Sequence, residues 1–152
     1  MSKQQEAELI LKLYELRREP VMRQARDWYF LEFQAQSFED YNKALFSEHS
    51  GHLRMVTSYW DMAASLVNHG AISADFFNDA NGEHFGVFSK IELILPQLRA
   101  AYGPNALLNL ERLIDSTPGG RERCAEMRER MKAILAEVAS QRARAAGAAG
   151  KN

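Results

Sequence analysis

Apolar residues recur at spacings of three and four in one segment of the chain after another, and this periodicity constrains the fold more than any other feature. In the fourth such segment the repeating residues are Leu53, Val56, Trp60, Ala63 and Val67. Residues at these spacings share one face of an α-helix, so each segment predicts a helix with one apolar stripe. β-Branched residues are few and scattered, which is not typical of strands. The pattern predicts an all-α protein, an irregular bundle of about seven or eight helices with a long C-terminal helix.

Proline, glycine and capping residues predict where these helices begin and end. Pro20 suits a first helical position, and Pro96 is predicted to kink the sixth helix because it lacks a backbone donor. In chain order the predicted helices span about 3–18, 20–35, 38–47, 51–69, 73–80, 88–102, 106–115 and 121–145. The large side chains predicted to be mostly buried are Trp28, Phe30, Phe33, Trp60, Phe77, Phe88, Ile91 and Leu95.

The last predicted helix differs from the others in composition. It has no aromatic residue and is rich in Ala, Glu and Arg. Its apolar residues form a narrow seam, the pattern of a coiled coil rather than of a broad core face. The seam consists of Cys124, Met127, Met131, Ile134 and Val138.

The chain therefore divides into a helical domain (1–116), a segment that contains the C-terminal helix (117–145) and a tail predicted to be disordered (146–152). A helix of roughly 25 residues rises about 37 Å, which is longer than a helix needs to be to cover the core of a domain of this size. We expect the seam to pack across a two-fold axis in a homodimer or on another partner protein. The alternative is that the helix folds back along its own domain.

Charge and hydropathy exclude several classes of protein. With 19 Lys and Arg against 20 Asp and Glu, the net charge of −1 does not favour a nucleic-acid-binding surface. No segment approaches the roughly 20 apolar residues of a membrane span. The N-terminal segment lacks the apolar run of a signal peptide, and the single cysteine cannot form an intramolecular disulfide. We expect a cytoplasmic protein.

Motifs that carry known chemistry are absent from the sequence, which has no nucleophile elbow, phosphate-binding loop, dinucleotide fingerprint or paired-cysteine metal site. No cofactor is predicted, and nothing indicates an enzyme. Cys124 lies on an apolar stripe without an adjacent base, so packing is its predicted role. His49 and His52 follow Glu48 closely, yet a zinc site needs three or four ligands. They are predicted to be structural or exposed, and whether they bind anything stays open.

Two functions follow from these observations. The first is a helical protein-interaction module that self-associates through the C-terminal seam. The second is a small-ligand-binding or enzymatic helical domain with a pocket bounded by Trp28, Trp60 and Asp61. In that pocket Arg54 or Arg26 would bind an anion.

The stretch from Glu19 to Asp115 also resembles a known family. The residues that carry the resemblance are the run Arg18 to Arg26, Tyr59-Trp60-Asp61, Leu66-Val67, Gly70-Ala71-Ile72, Phe76-Phe77 and the run Phe85 to Leu95. They resemble an uncharacterised bacterial all-helical family catalogued as a domain of unknown function. The resemblance implies an all-α fold and brings no activity or catalytic residue with it.

Overall fold

The computed structural model describes residues 2–151, and within that range the protein is helical with no strand. The prediction of an all-α bundle is confirmed. The helices are α1 (Lys3–Arg17), α2 (Pro20–Leu31), α3 (Phe38–Leu45), α4 (Ser50–Asn68), α5 (Ala74–Ala80), α6 (Glu83–Ser89), α7 (Leu95–Tyr102), α8 (Leu108–Ser116) and α9 (Gly120–Ala149). A 3-10 turn (Glu92–Ile94) joins α6 to α7.

The sixth predicted helix is two helices, and the kink predicted at Pro96 is wrong. The chain leaves the helical conformation after Ser89, and α7 begins at Leu95 with Pro96 in its first turn. A proline is tolerated there because the first amide groups of a helix have no intrahelical acceptor. Pro96 therefore starts a new helix instead of bending a continuous one.

The core is built around α4, which packs on α2 and α8. Six of the eight large side chains predicted to be buried are buried, while Trp28 and Phe30 are only half-buried. The buried residue between these two is Tyr29, whose hydroxyl donates to the Val87 carbonyl at 2.6 Å. Because the run from Trp28 to Phe33 is apolar on nearly every side, periodicity alone did not identify its inward face.

The C-terminal helix is longer than the sequence predicted. α9 continues to Ala149, so residues 146–149 are helical where a disordered tail was expected. Ala and Arg are among the strongest helix formers, and they outweigh the single Gly147, which disfavours a helix by about 1 kcal/mol relative to Ala. Asn152, the last residue of the predicted tail, lies outside the described residues.

Among the described helices none combines the length and the apolar character that a bilayer crossing requires.

Candidate functional site

The first half of α9 folds back onto its own chain. Gly119 adopts a φ of +69° in the turn before the helix, a conformation that side chains rarely adopt. A Cβ atom on Gly120 would lie 2.1 Å from the Ile114 carbonyl oxygen, so only glycine fits at this crossing. The reversal lays α9 against α6 and α8.

The first two residues of the predicted seam face the body of the same chain. Cys124 is fully buried, and Met127 is half-buried against the core. Burial raises the pKa of the Cys124 thiol to about 12, so at neutral pH it is an uncharged packing group. Cys124 is therefore already covered and is not a surface that a partner can reach.

A network of ion pairs fixes the same half of α9. Arg121 donates to Glu92, Glu111 and Asp115 at 2.6–3.1 Å. Arg128 joins it, since its guanidinium lies 2.5 Å from the other oxygen of Glu92. The hydrogen bonds from Arg121 lower the pKa of the Asp115 carboxyl group. Two elements of the body, the 3-10 turn and α8, thus hold the first half of α9.

The second half of the seam is less covered than the first. Met131 is half-buried, Ile134 is 42% exposed and Val138 is half-buried. All residues from 141 to 150 are exposed. Among residues 2–151, the ion pair that joins this part to the body is Arg142 with Glu32 at 3.7 Å, and both side chains are mostly exposed. Pairs of this kind contribute little, so the distal part of α9, residues 136–149, is held weakly by its own chain.

Trp60 lies at the centre of a buried polar cluster rather than at a pocket wall. Its indole Nε1 donates to Glu83 at 2.9 Å, and the same carboxylate accepts hydrogen bonds from Arg26 at 2.8–3.0 Å. The Arg17 guanidinium stacks over the indole at 5.4 Å. Arg26 already has Glu83 as its anion, so its expected role in binding an anionic ligand has no support here.

Trp28 lies elsewhere, in a stack of rings at the surface. Its indole stacks on Phe33 and His49, with ring centroids 5.3 and 5.2 Å apart, and His52 lies beside it. Within residues 2–151 no group of three His, Cys, Asp or Glu side chains is placed to hold a metal ion. The aromatic stack accounts for the positions of both histidines.

Asp61 joins α4 to α8. One oxygen accepts from the Leu110 amide at 2.9 Å, and the other accepts from the Asn109 side chain at 3.1 Å. Helix α8 has no side-chain cap of its own, because Leu107 precedes it in a left-handed conformation with a φ of +54°. Asp61 therefore caps the N-terminus of α8 from another helix.

The other face of Asp61 borders an open groove of about 890 Å³. Three polar residues of α4, Arg54, Ser58 and Asp61, line it together with Tyr41 and Tyr102. Neither Trp28 nor Trp60 lines it. The three residues of the second predicted function thus lie in three different surroundings.

Asp61→Ala is expected to lower the free energy of unfolding by about 1–2 kcal/mol, because α8 loses its only side-chain cap and Asn109 loses an acceptor. Urea denaturation measures the change. Asp27→Ala, an exposed aspartate on α2, is the control and should change the stability by less than about 0.5 kcal/mol. Equal losses in the two variants would contradict the capping role.

Three polar residues inside the fold, the buried His84 and the half-buried Glu83 and Lys90, had no signal in the sequence. Glu83 and His84 follow Asn81-Gly82, and their spacing indicated only the start of a helix. Lys90 likewise looks like an ordinary surface lysine, yet its Nζ donates to the carbonyls of Phe33 and Phe30 at 2.6 and 3.3 Å. It caps the C-terminal end of α2, a long-range contact that local spacing does not encode.

A family model described as a domain of unknown function, DUF4760, matches residues 4–117. The match extends the resemblance at both ends and covers α1 to α8, while α9 lies beyond it. No curated protein and no solved structure matches the chain.

Proposed function

Because the chain belongs to the DUF4760 family, whose description names no activity, we propose from its own surface that it is a helical interaction module that self-associates. The association runs through Ile134 and the distal part of α9, in a two-fold homodimer. Two-fold dimers are the commonest soluble oligomers, and they need no second protein.

The length of α9 beyond the body is the observation that carries the proposal. The helix has 30 residues and rises about 45 Å. Leu135 is its last residue that lines a cavity of the body, and residues 136–149 come after it. Isolated helical segments of this length are marginal in water and owe their stability to packing. A second copy of the distal part would supply that packing.

The exposed residues of the seam would form the contact between the two copies. Ile134 is 42% exposed, and Val138 follows it one turn later. The Ala residues around them allow two helices to approach closely. Compared with the seam predicted from the sequence, the proposed interface loses Cys124 and Met127, which the body already covers.

Light scattering tests the proposal. The full chain at high micromolar concentration should have twice the mass of the 17.3 kDa chain. Ile134→Glu should be monomeric because it places a charge in the interface. Leu16→Glu is the matched control, since Leu16 is 46% exposed on α1, and it should remain dimeric.

A shortened chain that ends at Leu135 should also be monomeric while keeping the fold. Ending the chain at Ser116 would be a poor test, because it would remove Cys124 from the core and Arg121 from its ion pairs. A full-length chain that stays monomeric at high micromolar concentration, or an Ile134→Glu variant that stays dimeric, would refute self-association through α9.

A further inference from the structure

A second cavity, smaller and more enclosed than the groove beside Asp61, lies where α9 crosses the turns that follow α2 and α6. Its volume is about 300 Å³, at the lower end of the range for small-molecule sites. Its apolar wall is formed by Leu93, Met131 and Leu135. Leu93 is 72% exposed at the rim, although its side chain is fully apolar.

The charged side chains around this cavity all have the same sign. Lys90, Arg128 and Lys132 line it, and no acidic residue does. Arg128 and Lys132 are paired with Glu92 and Glu129, whose carboxylates lie outside the lining. The Lys90 ammonium is different, because its hydrogen-bond partners are backbone carbonyls of α2 and the following turn. Its positive charge is therefore not neutralised by a carboxylate.

Two of these cations are held in place before any ligand arrives. Lys90 is anchored by two carbonyl oxygens, and Arg128 donates to the Ser89 carbonyl at 2.9 Å as well as to Glu92. A cation with a fixed position loses little side-chain entropy on binding an anion. The cavity thus combines an apolar wall with preorganised positive charge.

We propose that this cavity binds a small amphiphilic anion, a single carboxylate on an apolar chain of roughly eight carbons. The chain would lie against Met131 and Leu135. The carboxylate would face Lys90, the fixed cation without a carboxylate partner, and Lys132 would supply a second positive charge from the lining. Since water occupies about 30 Å³ per molecule, the cavity has room for roughly ten groups of that size. The site forms within one chain, so it does not depend on self-association.

The position of the cavity ties it to α9. Four of the six side chains that form the apolar wall and the cationic lining belong to α9, which lies outside residues 4–117 matched by the family. The ligand site is therefore a property of this chain with its C-terminal helix, and the matched segment alone would not form it.

Calorimetric titration of the full chain with octanoate tests the proposal. Octanoate should bind at least about tenfold more tightly than 1-octanol or octylammonium, which have the same chain without the negative charge. In amide NMR spectra, octanoate should shift the signals of Ser89, Leu93 and Met131. Octanoate that does not bind at millimolar concentration, or that binds no better than 1-octanol, would overturn the proposal.

Matched variants locate the site. Leu93→Glu should weaken octanoate binding by at least about tenfold because it places a carboxylate at the rim. Leu11→Glu introduces the same charge at a leucine that is 64% exposed on α1, and it should bind like the unmodified chain. Lys132→Glu, at a side chain that is 67% exposed, is a second variant with little risk to folding. Equal binding by all of these variants would place the anion elsewhere and refute the site.

Discussion

Replacing Trp60 by Ala should lower the free energy of unfolding by roughly 3–5 kcal/mol, the range for truncating a buried aromatic side chain. Trp60 is 1% exposed and packs edge-on against Tyr59 and Phe77. Its removal also takes a hydrogen-bond donor away from Glu83. Urea denaturation followed by circular dichroism measures the loss.

Trp28→Ala is the matched control, because it removes the same side chain from a half-buried position in the surface stack. Trp28→Ala should lower the free energy of unfolding by less than half as much as Trp60→Ala does. Trp60→Phe separates packing from hydrogen bonding, since it keeps a ring and removes the indole N–H. A Trp60→Ala variant that is as stable as Trp28→Ala would mean that α4 does not form the centre of the core.

Acid should destabilise the protein through His84, by about 2 kcal/mol between pH 7 and pH 5 and about 4 kcal/mol in all by pH 3. His84 is fully buried beside Trp60, Phe77 and Phe85. Burial lowers its pKa from about 6.5 to about 3, and the positive charges of Arg123 and Arg17 add to the shift.

The direction of this pH dependence follows from proton binding to His84. Below pH 6.5 the unfolded chain protonates this imidazole while the folded chain does not, so protons favour the unfolded state. The stability that comes from the neutral His84 is fully present above the pKa of about 6.5 in the unfolded chain. It is lost as the pH falls towards the pKa of about 3 in the folded chain. In the folded state Nε2 donates to the Asn78 amide oxygen at 2.9 Å, which requires only the neutral ring.

His84→Gln tests this dependence, because glutamine carries an amide donor and does not titrate. Urea denaturation at pH 7 and pH 5 should give a loss of stability that is about 2 kcal/mol smaller in the variant than in the unmodified chain. His69→Gln, at an exposed histidine, should keep the unmodified pH dependence. The same pH dependence in all three proteins would show that His84 is accessible to protons in the folded state.

The folded unit is larger than the segment that the family model matches. Residues 4–117 are matched, yet Cys124 belongs to the core, and Arg121 pairs with three carboxylates of the body. The helix beyond the match is therefore part of the structural domain in its first half. Among the described residues of α9, those from 141 to 150 are all exposed.

The candidate sites depend on contacts between distant segments, which the sequence pattern does not specify. The sequence predicts an apolar seam on α9, but the pattern of that seam is the same whether the helix packs on its own domain or on another copy. The narrow turn at Gly120 makes the first half of α9 pack on its own domain, because it directs the helix back across Ile114. Asp61 and Arg54 line the same groove, while the α8 amide that Asp61 caps is 49 residues away in the chain.

The sequence by itself determined the all-α class, the start of most helices and the apolar stripes, because these depend on residues three and four apart and on capping residues close by in the chain. Only the tertiary structure decided which face of α2 is buried, where the helix around Pro96 is broken and which carboxylate each arginine meets. Those outcomes depend on contacts between distant segments, such as Arg26 with Glu83 and Lys90 with Phe33. Local periodicity carries no information about such pairs, since it specifies a face of a helix and not the neighbour that covers it.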